Sequence, residues 1–140
     1  MKSAPKKEET PIKGTIKRDS KLPLIKGLSD YAKVDNVKSY ISGELEIYEV
    51  YGAMPNIRTG RVKKLFSAHR CFYITKVVIS NFTKDEMILY CKHTDKNKFD
   101  QYFIPNDEEM MFSENYEQYS FLSNRSGNVN FMVIGVRKIK

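Results

Sequence analysis

A chain of 140 residues with 41% hydrophobic and 29% charged residues has the composition of one globular domain with a modest core. No apolar run reaches the roughly 20 residues of a membrane helix, and two Cys with two His are too few for a disulfide framework, so both of those classes are excluded. The net charge of +7 admits nucleic acid or an anionic surface as partner, with solvated lysines as the plainer reading. The first residues are charged and carry no apolar h-region, so synthesis in the cytosol without a secretory signal is expected.

Residues 1–36 differ from the rest. They hold nine basic and five acidic residues, with Pro5, Pro11 and Pro23 and small apolar groups that follow neither helical spacing nor strand alternation. Such a segment buries too little to offset its ordering entropy. It reads as an extended or disordered basic arm that orders on a partner, with Leu22, Leu24, Ile25 and Leu28 as docking anchors.

From residue 37 onward the signals are those of strands. Val37 to Gly52 reads as strand, with Leu45 and Ile47 on one face, Glu44 and Glu46 on the other, and a bulge near Tyr48-Glu49 where Val50 falls out of phase. A turn at 52–56 precedes Arg58, Arg61, Lys63 and Lys64, the densest basic cluster outside the arm. Cys71 to Ser80 is apolar on both faces. A turn over 81–85 then predicts a hairpin with Glu86 to Lys92. Asp100 to Ile104 and Gln118 to Ser123 are further short strands.

The last strand, 128–138, is the most apolar. Val129, Phe131 and Val133 point one way, and Met132, Ile134 and Val136 the other. A lone sandwich strand buries one face and wets the other, so this strand predicts cover on its second face by another subunit. Six or seven short strands and no helix of three turns predict an all-β, jelly-roll-like β-sandwich over residues 37–140, preceded by the extended arm.

Chemistry-bearing patterns are sparse. His69-x-Cys71 and Cys91-x-His93 are mirrored pairs of zinc-ligand type. In the predicted hairpin, however, Cys71 falls about five residues beyond the position opposite Cys91, on the order of 16 Å away, so no metal site is expected. The acidic run at 107–109 does not converge in an extended chain. No nucleophile elbow, Walker, Rossmann or HExxH motif occurs, so no catalytic residue, no cofactor and no enzymatic activity are expected. Asn81-Phe82-Thr83 and Asn124-Arg125-Ser126 match the N-glycosylation pattern, which means little without a secretory signal. The tyrosines keep sugar binding open without placing it.

The run Phe72 to Asn81, the short strand ending Phe103-Ile104-Pro105, and Ser126 to Gly135 together resemble small jelly-roll domains of tailed-phage virion proteins, over about residues 66–138. Those domains are similar to the tumour-necrosis-factor fold, often trimerise, and occur in head fibres, decoration proteins and tail parts. The resemblance implies a structural virion protein made in the host cytoplasm, a homotrimer, other virion proteins as partners, contact with a host-surface glycan, and no membrane. Trimerisation would use Phe131, Met132, Val133 and Ile134. A basic nucleic-acid-binding module built on the arm with Arg58, Arg61, Lys63 and Lys64 is the alternative.

Overall fold

The computed structural model describes residues 6–11, 22–57, 60–113 and 116–139. The described residues form strands and turns without helix. The strands are β1 (Lys6–Pro11), β2 (Ile25–Lys26), β3 (Lys33–Ser42), β4 (Leu45–Ile57), β5 (Lys63–Ala68), β6 (Tyr73–Phe82), β7 (Met87–Lys92), β8 (Phe99–Ile104), β9 (Glu108–Phe112), β10 (Gln118–Leu122) and β11 (Gly127–Lys138).

They make two antiparallel sheets, a six-stranded one in the order β1-β3-β4-β11-β6-β9 and a five-stranded one in the order β2-β5-β10-β7-β8. With β4 to β11 counted as strands one to eight, the first sheet reads one-eight-three-six and the second two-seven-four-five. That is the order of two Greek keys, a jelly roll. The all-β sandwich expected from strand spacing is therefore the observed fold, with more strands than the sequence pattern resolves. Part of the excess comes from the expected single strand 37–52, which is the hairpin β3–β4 folded at Gly43-Glu44.

The core lies between the sheets. β11 sends Val129, Phe131 and Val133 into it, and β6 adds Ile74, Val77 and Ile79. From the facing sheet come Phe66, Leu89, Tyr119 and Phe121. Phe66 is the hub of the contact between layers, its ring centroid 5.1 Å from Tyr119 and 5.7 Å from Phe131. Phe131 lies over Gly52, its cross-strand partner in β4, and a side chain at Gly52 would collide with that ring. The glycine thus gives the aromatic its place.

Five sequence expectations change here. β6 and β7 are not hairpin partners, because they belong to different sheets and the chain crosses between layers at 83–86. Asn81 and Thr83 make that crossing possible although both are fully buried. Asn81 Nδ2 donates to the carbonyls of Asp85 (2.8 Å) and Ile104 (2.7 Å), and its Oδ1 accepts from the Thr83 amide (2.9 Å) and hydroxyl (2.7 Å). One side chain thereby satisfies the backbone where the ladder ends. Burial also takes Asn81 out of reach of glycosylation in the folded protein.

β4 runs through Tyr48-Glu49 without a bulge. Val50 and Met54 point inward, whereas Leu45 is exposed and Ile47 lies on the outer face. Leu45 and Ile47 do share one face, with Glu46 on the other, and the face they share is the outer one.

The boundary expected at 36/37 falls inside β3, and the docking anchors expected in the arm are core residues. Leu22, Leu24, Ile25 and Leu28 are between 0% and 7% exposed. Leu24 is held at φ 72° in a three-residue turn closed by Ile25 N–H to Pro23 O at 2.8 Å, a strained geometry for a leucine. Its side chain packs on Gly135, where an added Cβ would come within 2.6 Å of Leu24 Cδ2. The strain is sustained because the bare strand at Gly135 leaves room for an apolar plug. β1 lies outermost in the six-stranded sheet, pairing Lys6 with Ile41 through to Pro11 with Asn36.

Finally, the trimer residues expected on β11 divide between two faces. Phe131 and Val133 are buried in this chain's own core, and only Met132 and Ile134 lie on the outer face.

Candidate functional site

A jelly roll gathers alternate connections at its two ends. At one end lie the β5–β6 loop (residues 69–72), the β7–β8 turn (93–98) and the chain entering β10 (116–117). Backbone hydrogen bonds tie them together. Ala68 N–H donates to Glu117 O (2.9 Å), Glu117 N–H to Lys92 O (2.8 Å), and His69 N–H to Leu24 O (2.7 Å). The strands fix this end, and its loops do not depend on side-chain contacts alone.

Two polar clusters stand on that frame. In the first, Arg70 Nη2 meets Asp95 Oδ1 at 3.1 Å, Lys92 Nζ meets Glu117 Oε2 at 3.2 Å, and the Asp95 amide donates to Glu117 Oε1 at 2.9 Å. The Asp95 amide, and after it Lys92, hold the Glu117 carboxyl below its ordinary value. In the second, Asp100 Oδ2 accepts from the Tyr116 hydroxyl at 2.6 Å and lies 3.0 Å from His93 Nε2. The two tyrosine hydroxyls of Tyr102 and Tyr116 share a hydrogen bond of 2.7 Å. The Tyr116 hydroxyl first, and His93 second, keep the Asp100 carboxyl below the usual range. Between the 69–72 loop and residues 94–95 and 116–117 lies a cavity of about 260 Å³.

The structure thus brings the regions of the two His/Cys pairs to one end, which the hairpin expectation placed apart. It does not assemble them as metal ligands. His69 accepts the Cys71 amide on Nδ1 at 3.3 Å, Cys71 is exposed, Cys91 is buried, and His93 faces Asp100. Among the described residues, no three of His, Cys, Asp and Glu converge on a point a metal ion could occupy. Asp95, Asp100 and Glu117 were not singled out from the sequence, and Tyr116 entered only among the tyrosines able to stack on a sugar. Their one local signal is polar residues flanking an aromatic in a turn, which is too common to select them.

The opposite end is polar and basic. Gly60 N–H donates to Ser123 O at 3.1 Å, which sets the loop carrying Arg61 beside the 124–126 turn. Lys84 and Arg125 border a shallow concavity of about 350 Å³. Of the expected basic patch, Arg61 and Lys64 are exposed, Lys63 is half-buried in β5, and Arg58 lies outside the described residues.

The third notable surface is the outer face of the six-stranded sheet. Register aligns Met111, Val78, Met132 and Tyr51 in one row across β9, β6, β11 and β4. A second row runs Tyr73, Val136, Ile47 and Tyr40, and between them runs Lys76, Ile134, Glu49 and Lys38. Glu49 accepts the hydroxyls of Tyr40 (2.9 Å) and Tyr51 (2.8 Å), and Lys38 stands 5.5 Å from the Tyr51 ring centroid. Loss of solvent, then the bond to Glu49, pushes the Tyr51 hydroxyl up to about 12.

No protein-family model matches the sequence, and no curated protein matches it either. Among solved structures, the fold is similar to a chain of the Bacillus endospore appendages, described as disulfide-linked pili, at TM-score 0.50 and 8% identity over 71% of this chain and 95% of that one. Hydroxypropylphosphonic acid epoxidase from S. wedmorenis is similar at TM-score 0.37 and 13% identity over 91% of this chain and 62% of its own. An Fe(II) form of HppE with an alternative substrate reaches TM-score 0.41 at 12% identity, over 91% of this chain and 63% of that one. These likenesses concern architecture alone. They correct one expectation, the exclusion of enzymatic activity for want of a motif, because an iron enzyme stands among the structures similar to this chain. No phage jelly-roll family is matched.

Proposed function

We propose that this chain is a structural subunit of a particle or appendage, of the virion head-fibre, decoration or tail type, and that copies associate through the outer face of the six-stranded sheet. The observation that carries the reading is the pair of apolar rows on that face, Met111-Val78-Met132-Tyr51 and Tyr73-Val136-Ile47-Tyr40, with Met111 and Tyr73 62% and 58% exposed. A solvated sheet face is ordinarily polar, and contiguous apolar area on a surface marks association. The row between the two, Lys76-Ile134-Glu49-Lys38, carries charges of both signs that can meet opposite charges on a neighbouring copy. The similarity in fold to a chain of the Bacillus endospore appendages, described as disulfide-linked pili, supports the structural reading. Met132 and Ile134 remain as interface residues, and three copies around an axis is the arrangement proposed.

Light scattering of the full chain tests this. The proposal expects a molar mass of about 49 kDa, three times the chain's 16.3 kDa. A mass of one chain across the micromolar range contradicts it. Retention of nucleic acid that weakens steeply with salt would instead favour the basic-module reading.

A further inference from the structure

We infer that the cavity at the 69–72, 94–95 and 116–117 end is a binding site for a neutral sugar ring, a site independent of self-association. Its walls combine two kinds of group that saccharide recognition needs. Phe72 and His69, both half-buried, supply ring surface for the C–H faces of a pyranose, and Asp95, Glu117 and Arg70 supply hydrogen-bonding groups for its hydroxyls.

Charge decides the ligand class. Each carboxylate at the rim already has a cation beside it, Arg70 on Asp95 at 3.1 Å and Lys92 on Glu117 at 3.2 Å. A cationic ligand would compete with those partners, and an anionic one would meet both carboxylates. A hydroxyl needs neither pair to break, because a carboxylate accepts further hydrogen bonds on its remaining lone pairs. The Arg70–Asp95 pair is exposed and weak, so it orients Asp95 without closing the cavity.

Size decides the extent. At about 260 Å³ the cavity falls below the roughly 300–1,000 Å³ of sites for drug-sized ligands, so it takes one ring of a glycan with the rest of the chain in solvent. The site is preformed. The Glu117 backbone is pinned on both sides by Ala68 and Lys92, and its carboxylate is fixed by the Asp95 amide. Little ordering is therefore left for binding to offset. The two sheets deliver the walls from different strands, so no short sequence motif announces the site.

Saturation-transfer NMR on the full chain tests the inference with the methyl glycosides of glucose, galactose, mannose and N-acetylglucosamine, beside N-acetylneuraminic acid and glucosamine as charged probes. The expected result is saturable binding of at least one neutral glycoside with Kd on the order of millimolar, unchanged by salt, and little binding of the charged sugars. Glu117→Gln and Phe72→Ala should each weaken it about tenfold. Phe72 also packs against the core, so Asp95→Asn on the exposed rim serves as the variant that leaves the fold intact, with a several-fold loss expected. The inference is overturned if no neutral glycoside binds at about 50 mM, if a charged sugar is preferred, or if binding survives Glu117→Gln and Asp95→Asn unchanged. A chain that proves monomeric but binds sugar leaves this site standing and removes only the proposed assembly.

Discussion

The two faces of β11 are made of the same kind of residue and have different fates. Val129, Phe131 and Val133 meet a second sheet and are 0% to 3% exposed. Met132, Ile134 and Val136, one residue out of phase, meet only their neighbours along the sheet and stay half-buried. Identity of side chain therefore does not settle burial here, and the layer that faces the side chain does. Among the described residues, the inner face is covered by the second sheet, whereas the outer face is matched in composition and carries no further layer.

Substitutions on the two faces should separate accordingly. Phe131→Ala removes the ring that spans Gly52 and Phe66, and should cost about 3–5 kcal/mol in chemical denaturation. A loss below about 1 kcal/mol would mean that the inner face is not the tightly packed one. Asn81→Ala tests the polar exception on the same inner surface. It strands the Ile104 carbonyl and the Thr83 amide, while the Thr83 hydroxyl, 3.1 Å away, still reaches the Asp85 carbonyl, and a loss on the order of 1–3 kcal/mol is expected. An unchanged midpoint would show that the crossing between sheets does not depend on that side chain.

The outer face has its own, smaller signature, in pH. Tyr51 is protonated up to about 12 in the folded chain, against 10.0 for an ordinary tyrosine. A raised value lends stability that is full below 10.0 and is lost as pH rises toward about 12, because the unfolded chain ionises first. Denaturation midpoints should fall across that window, and Tyr51→Phe should flatten the fall. An equal slope in wild type and variant would assign the loss to other tyrosines.

The comparison also explains what could be read in the sequence. Strand-rich character, the all-β sandwich and the division of β11 into two apolar faces follow from strand spacing and alternation, but which of the two faces turns inward does not. The β6–β7 relation was misread because a turn between two apolar runs signals a hairpin, whereas a buried Asn81-Thr83 pair that hands the chain to the other sheet has no local signature. Leu22, Leu24, Ile25 and Leu28 looked like a partner's anchors because they lack periodicity. The structure buries all four in the core and sets Leu24 as a plug against the bare backbone of Gly135, a match that exists only between distant segments. That Leu45 and Ile47 share a face follows from spacing, but that it is the outer face does not, because both faces of this sheet carry apolar residues. The cavity at the loop end was illegible, since three separate connections build it.

The central claim is that the outer face of the six-stranded sheet, rather than any other surface, joins copies of this chain. The most direct test compares solution molar mass of the wild type, of Met132→Lys with Ile134→Lys, and of Phe103→Lys on the exposed side of the five-stranded sheet. The account predicts an assembled wild type, an assembled Phe103 variant, and a double variant that is monomeric yet as stable as wild type within about 0.5 kcal/mol per exposed site, apart from any stabilisation that assembly itself lends. An assembled double variant, or a monomeric wild type, would contradict it.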